Sequence, residues 1–182
     1  TADGRGIERA RYGPAIPDLV ERLSRGLPIA NRPVLQSDAR AALQGGVLRL
    51  RCASAYALVS GSGLGEAYYS DGRCWSREQF RQRFGSAAEF EWQGRDAESW
   101  LRTADWSGLD LASSQHQQVL EALVAHRCGL ETPERILLGG HFSRWFEEGR
   151  IPPALGGIPV TYLEPDWALE GCCWLEMAPP RA

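Results

Sequence analysis

A thiol, an imidazole and a carboxylate follow one another along the chain in an order that nucleophilic catalysis uses: Cys74, His141, and Asp166 or Glu164. Cys74 stands just ahead of Ser76, which opens a predicted helix. The free N–H groups and partial positive charge of a helix start lower a thiol pKa and can hold an oxyanion. His141 follows Gly139-Gly140, which let backbone and substrate approach the ring, and the carboxylates close a predicted strand from which an imidazole could be oriented. Such a set would serve a cysteine hydrolase or acyltransferase. The plainer account is a buried structural Cys74 and a His141 satisfied by nearby backbone.

The order of these groups, and the run Gly72-Arg73-Cys74-Trp75, resemble papain-like cysteine hydrolases; the resemblance implies Cys74 as nucleophile, His141 as base and Asp166 or Glu164 as orienter. A second set, Arg51, Ser113-Ser114 and Glu170, resembles the Arg, Ser-Thr-Ser and Glu-x-Glu elements of mono-ADP-ribosyltransferases. In that family an arginine and a serine hold NAD and the glutamate stabilises a ribosyl cation; here Ser113-Ser114 is equally explained as a helix cap. The stretch from Arg144 through Trp145 and Gly149 to Pro152 resembles the end of the recognition helix and the wing of excisionase-like DNA-binding modules. Caps and core account for every one of these constellations at least as well as catalysis does. The leading expectation is therefore a non-catalytic protein-binding or accessory domain that meets a protein partner through Trp145 and Trp167, with no cofactor. The cysteine enzyme, including one delivered as an effector, is the alternative, and a divergent ADP-ribosyltransferase the second.

Composition narrows the classes further. The 182 residues carry a formal charge of -3, 43% hydrophobic and 24% charged residues, which fits one ordinary globular domain and argues against a broad phosphate-backbone face, so nucleic acid is not an expected partner. Arg73, Arg77, Arg81 and Arg83 read as a solvated helix face. All 20 basic residues are arginine and Asn31 is the sole asparagine; lysine and asparagine share AAN codons, so codon bias in a high-GC bacterium or phage explains both scarcities. Five cysteines without a CxxC pair predict free thiols rather than a disulfide framework. His116 and His126 are ten apart on one predicted helix and Cys172-Cys173 alternate faces, so no metal site is expected. Neither an apolar leader nor an apolar run of membrane-spanning length is visible, which predicts a cytoplasmic chain or one exported without a cleaved signal.

The elements that must position these groups follow from period and punctuation. Residues 1–14 read as irregular and 15–182 as a single α+β domain, short helices packed on a small, mainly antiparallel sheet. A helix begins near Ile16, and another, capped by Ser37, runs over 38–44 until Gly45-Gly46 stop it. Alternation predicts strands over 47–52, 56–59 and 66–70. Gly61, Gly63 and Gly65 invite a phosphate-loop reading, but no helix opening with Lys-Ser or Lys-Thr follows, so they read as a connection between strands. Asp71-Gly72 marks a turn, Ser76 and Gln79 a capping box, and Asp96 a cap. Val119, Leu120, Leu123 and Val124 form the apolar stripe of a helix over 115–126. Thr132-Pro133-Glu134 reads as a helix start, residues 142–148 as helix, and 158–163 with 172–177 as a C-terminal hairpin packed on the 115–126 helix.

Overall fold

The computed structural model describes residues 37–102 and 114–177, together with Glu21 and Arg25. The expectations for residues 1–14, for the helix beginning at Ile16 and for Ser113 fall outside the described residues. Contacts divide the chain at Ser37/Asp38, and everything below belongs to the second unit, Asp38–Ala182.

That unit opens with α1 (Asp38–Leu50), followed by the meander β1 (Ala55–Ser60), β2 (Leu64–Ser70) and β3 (Arg73–Cys74). Next come α2 (Arg77–Phe84), the small ribbon β4 (Glu91–Trp92) and β5 (Arg95–Asp96), α3 (Ala97–Leu101) and α4 (Ser114–Leu130). The chain closes with β6 (Arg135–Gly140), α5 (Phe142–Glu147), β7 (Ala154–Leu155), β8 (Ile158–Leu163) and α6 (Pro165–Met177). Among the described residues one six-stranded sheet has the order β3-β2-β1-β6-β8-β7. Its centre is parallel: β6 runs alongside both β1 and β8, while β2, β3 and β7 turn back as antiparallel neighbours. The sheet expected to be mainly antiparallel is thus mixed, antiparallel at its edges and parallel at its centre.

Local chemistry explains the meander. Asp71 and Gly72, at φ 52° and 76°, make the left-handed two-residue turn that matches strand twist. The Ser76 hydroxyl accepts from the Gln79 N–H while the Gln79 side chain accepts from the Ser76 N–H, so the expected capping box starts α2. Asp96 caps α3 through the Ser99 N–H at 2.7 Å. Helix α4 forms where the apolar stripe predicts, and Val119, Leu120, Leu123 and Val124 are all buried, each worth on the order of 1.5–3 kcal/mol.

Three expectations give way. Where a helix is expected from Thr132, the chain instead forms strand β6 over Arg135–Gly140; Ile136, Leu137 and Leu138 are buried on both faces of the sheet, so the alternation that marks a strand is missing. Glu134 sets the register by accepting the Ala53 N–H and donating its own N–H to Ser54. Gly45 and Gly46 do not stop α1, and 47–50 is its last turn rather than a strand. Residues 172–177 are not a hairpin strand but the end of α6, with Pro165 in its first turn. Both helical corrections share one cause, the crossing of α1 and α6. A Cβ on Gly45 would lie 1.8 Å from the Trp167 carbonyl oxygen, and one on Gly171 1.9 Å from that of Ala41. The glycines are where two backbones touch.

Alternate residues of the sheet feed two cores. Tyr56, Leu58, Ile136 and Leu138 join α2, α4 and α5 on one face; Ala55, Ala57, Leu137 and Leu163 join α1 on the other. The first core encloses a polar knot. Arg127 of α4 and Glu66 of β2, with side chains 2% and 6% exposed, pair at 2.9 Å, and the Tyr56 hydroxyl donates to the same carboxylate at 2.7 Å.

Candidate functional site

The cysteine set is not assembled. Cys74 pairs with Tyr69, which lies opposite Ala55, which lies beside Arg135; His141 follows Gly140 at the other end of β6. Three strand spacings of ~4.8 Å and six residues at ~3.3 Å separate thiol and imidazole by roughly 24 Å. Cys74 is buried, and burial pushes its thiol up to about 11, against the pull of Arg40. A folded thiol that holds its proton above its ordinary value of 9.0 contributes stability below pH 9, and that contribution is lost as pH rises toward 11. Native iodoacetamide labelling at Cys74 is accordingly expected to stay slow at neutral pH and unchanged in His141→Ala; fast labelling at pH 7 would contradict this placement.

The remaining candidates separate too. Glu170 is held by Arg49, not Arg51, through both carboxylate oxygens on the outside of α1 and α6; Arg51 ends α1 at φ 52° and is exposed, and Ser114 opens α4 on the opposite face of the sheet. No NAD cradle forms from them. Trp145 is 2% exposed and packs edge-on against Phe142, so it offers no exposed ring to a partner, and Trp167 is half-buried against the second core. With Trp145 and Ile151 turned into the core and α5 only six residues long, the excisionase-like stretch offers no recognition helix. Asp166 lies exposed in the first turn of α6.

What the fold does bring together is a cleft of about 470 Å³ at the carboxyl ends of the parallel strands. Strand β6 leads into α5 on the face of the first core, whereas β8 leads into α6 on the other. Chain connections diverging from neighbouring parallel strands leave a crevice between their ends, the usual ligand position in open α/β sheets. Here it is walled by Gly61 after β1, by Gly139 and Gly140 at the end of β6 with His141 after it, and by Glu164 after β8. His141 and Glu164, two of the groups selected from sequence, do share this cleft.

Its glycines are dictated by close approach. Gly140 adopts φ 68°, and a Cβ there would sit 2.0 Å from the Ser60 carbonyl oxygen. That oxygen accepts from the His141 N–H at 2.9 Å and lies 3.2 Å from its Nδ1, which welds the tips of β1 and β6. The Ser60 hydroxyl donates to the Leu101 carbonyl, anchoring the same tip to α3. Beyond it the Gly61 N–H donates to Gly63 O at 2.8 Å and closes a tight loop. Asp38, at the start of α1, lines the cleft next to that loop; its Oδ1 lies 3.3 Å from where a Gly65 Cβ would stand. Tyr162, Leu163 and Ala168 give the crevice an apolar wall. Among the described residues no group of three His, Cys, Asp or Glu side chains is placed to hold a metal ion. Sequence reasoning named the glycine loop only as a connection and missed Asp38 and Ser60; the triple-glycine spacing after a buried strand was the available signal.

No family model and no curated protein matches the chain. Solved structures do. The inorganic polyphosphate/ATP-glucomannokinase of Arthrobacter sp. strain KM is 22% identical over 78% of this chain and 55% of its own, with a TM-score of 0.57. A ROK family glucokinase from Streptomyces griseus, in complex with glucose and AMPPNP, is 18% identical over 87% of this chain and 72% of its own (TM-score 0.54). A ROK family transcriptional regulator, homologous to the E. coli MLC protein, is 15% identical over 97% and 59% (TM-score 0.67). The fold resembles that of these ROK sugar kinases and regulators. The chain spans about half the length of the glucomannokinase it matches. With Cys74 remote from His141 and Trp145 in the core, this likeness overturns the expected cysteine hydrolase and the expected non-catalytic protein-binding module alike.

Proposed function

We propose that the chain is the nucleotide-binding half of a ROK-type sugar kinase, with ATP and its divalent cation held in the glycine-walled cleft. The observation that carries this reading is the cleft's position and lining: a crevice at the ends of β1, β6 and β8 whose tight glycine loop leaves backbone close to a ligand. Backbone N–H groups in such loops suit phosphate oxygens without any lysine, which this chain lacks. The apolar wall of Tyr162, Leu163 and Ala168 suits a nucleobase.

Asp38 is the side chain we assign to chemistry. In phosphoryl transfer an acceptor hydroxyl oxygen forms a bond to the γ-phosphorus, the bond from that phosphorus to the bridging oxygen of ADP breaks, and the hydroxyl proton goes to a positioned base. Asp38 lines the cleft at the rigid start of a 13-residue helix and fits that role with a sugar hydroxyl as acceptor. Asp38→Asn is expected to lower phosphoryl transfer by about 10²–10⁴-fold while leaving nucleotide affinity unchanged. A variant that transfers as fast as the parent would remove Asp38 from the reaction, and a parent that binds nucleotide without transferring it would favour a sensor related to the regulator.

Calorimetric titration with Mg·AMPPNP tests the binding itself. A dissociation constant of about 1 mM or tighter is expected. Gly61→Val adds a side chain where the nearest atom to its Cβ is 4.0 Å away, so the fold tolerates it while the wall of the cleft is obstructed at that point, and affinity is expected to fall at least ~10-fold.

A further inference from the structure

A second pocket, about 370 Å³, lies between the β2–β3 turn and α2, lined by Asp71, Arg73, Trp75, Gln79, Gln82 and Arg83. Strand β2 meets the tip of β1 through Leu64 and runs away from it to Ser70, so this pocket sits at the end of the sheet opposite the glycine-walled cleft. Its floor is a fixed aromatic. The Trp75 ring stacks on Phe84 at 5.6 Å and 20°, leans on Tyr68 at 4.7 Å, and donates its Nε1–H to the Ser70 hydroxyl at 2.9 Å. Held by two neighbouring rings and a hydrogen bond, a half-exposed indole offers its open surface to a ligand at little cost in rotamer entropy.

The polar rim has the opposite character from the acidic chain. Arg83 is locked in place by Glu131 at 2.9 Å and by the Leu130 carbonyl at 2.7 Å, which leaves its other terminal nitrogen for a ligand. Arg73 is exposed and has no hydrogen-bond or ion-pair partner among the described residues. The left-handed Asp71-Gly72 turn fixes the backbone from which it projects. Asp71 faces the pair as the single carboxylate of the lining and already accepts from Ser70 at 3.1 Å. Two guanidinium groups beside a rigid ring form the donor set that takes a phosphate dianion in bidentate fashion while a ring lies flat on the indole. The volume is at the lower end of the ~300–1,000 Å³ typical of ligand pockets, which suits a small molecule rather than a polymer.

We propose that this pocket binds a small phosphate monoester carrying a ring, the ring on Trp75 and the phosphate between Arg73 and Arg83. The inference does not rest on nucleotide binding at the other end of the sheet.

The test is an NMR titration of the Gly61→Val chain, in which nucleotide binding at the glycine-walled cleft is weakened, following the Trp75 indole N–H and the Arg73 and Arg83 Nε–H signals. AMP, glucose 6-phosphate and inorganic phosphate are added in turn. Saturable shifts at all three side chains with AMP or glucose 6-phosphate are expected, and inorganic phosphate, lacking a ring, should bind at least ~10-fold more weakly. The tighter of the two esters assigns the source as nucleotide or sugar phosphate. Arg73→Gln, an exposed substitution that should leave the melting temperature unchanged, is expected to weaken the better ester about 10-fold. Equal response to inorganic phosphate and both esters, tighter binding of a single-stranded oligonucleotide than of either ester, no saturation, or an Arg73→Gln chain that binds undiminished would each overturn the proposal.

Discussion

Replacing Gly171 by valine is expected to abolish cooperative folding. A Cβ at this position would lie 1.9 Å from the Ala41 carbonyl oxygen and 2.9 Å from the Gly45 nitrogen, so the obstacle is backbone on the facing helix rather than a side chain that can swing away. Helix α6 would have to lift off α1, uncovering Leu43, Leu137 and Leu163 in the second core. Overpacking alone commonly costs ~1–3 kcal/mol, and separating two helices that close one face of the sheet should exceed that, against a total stability of roughly 5–15 kcal/mol. Leu169→Ala, two residues away on the same helix but 71% exposed, should change stability by no more than ~0.5 kcal/mol. Urea unfolding of the two variants followed by circular dichroism compares them; a Gly171→Val chain melting like the parent would mean the helices do not touch there.

The second large effect is expected at the Arg127–Glu66 knot. Arg127 donates Nε and Nη2 to the two oxygens of Glu66 at 2.9 and 3.3 Å and Nη1 to the Phe84 carbonyl, so it ties α4 to β2 and to the end of α2. Burial works against its charge, but the Glu66 carboxylate outweighs it and holds its pKa above the ordinary value. Burial also pushes Tyr56 well above its ordinary value, which keeps its hydroxyl proton available to Glu66. Arg127→Ala leaves a buried carboxylate with one donor and should cost about 3–5 kcal/mol. Arg127→Met combined with Glu66→Leu should recover most of that loss, because the penalty comes from the stranded charge and not from an absent attraction. Denaturation midpoints at unchanged m-value measure both. Single and double variants of equal stability would show that the knot is not buried in solution.

How far the sequence shows the fold depends on which faces of each element are covered. Val119, Leu120, Leu123 and Val124 lie on a helix with one wet side, so their period is visible; Ser76 with Gln79, and Asp71 with Gly72, carry their geometry in their own chemistry. Strand β6 is covered on both faces, and Ile136-Leu137-Leu138 looks no different from a stretch of buried helix. Gly45, Gly46 and Gly171 read as helix stops because the residue that allows a turn is also the residue that allows contact, and only the facing helix distinguishes the two. The site was half legible. His141 and Glu164 were selected for their chemistry, yet the His141 N–H meets Ser60, 81 positions earlier, a pairing created by the parallel β1–β6 register and absent from any local pattern. Cys74 drew attention through a helix start that exists, on a strand at the wrong end of the sheet.

Nucleotide binding in the glycine-walled cleft is read directly from a crystal structure of the chain grown with Mg·AMPPNP. The phosphates are expected within ~3 Å of the backbone nitrogens of Ser62 and Gly63, the Gly61 N–H being taken by the Gly63 carbonyl, with the base against Tyr162, Leu163 and Ala168 and the γ-phosphate on the side of Asp38. Nucleotide bound anywhere else on the folded chain, or a glycine-walled cleft left without nucleotide at a concentration well above 1 mM, where the account requires occupancy of about half or more, would contradict it.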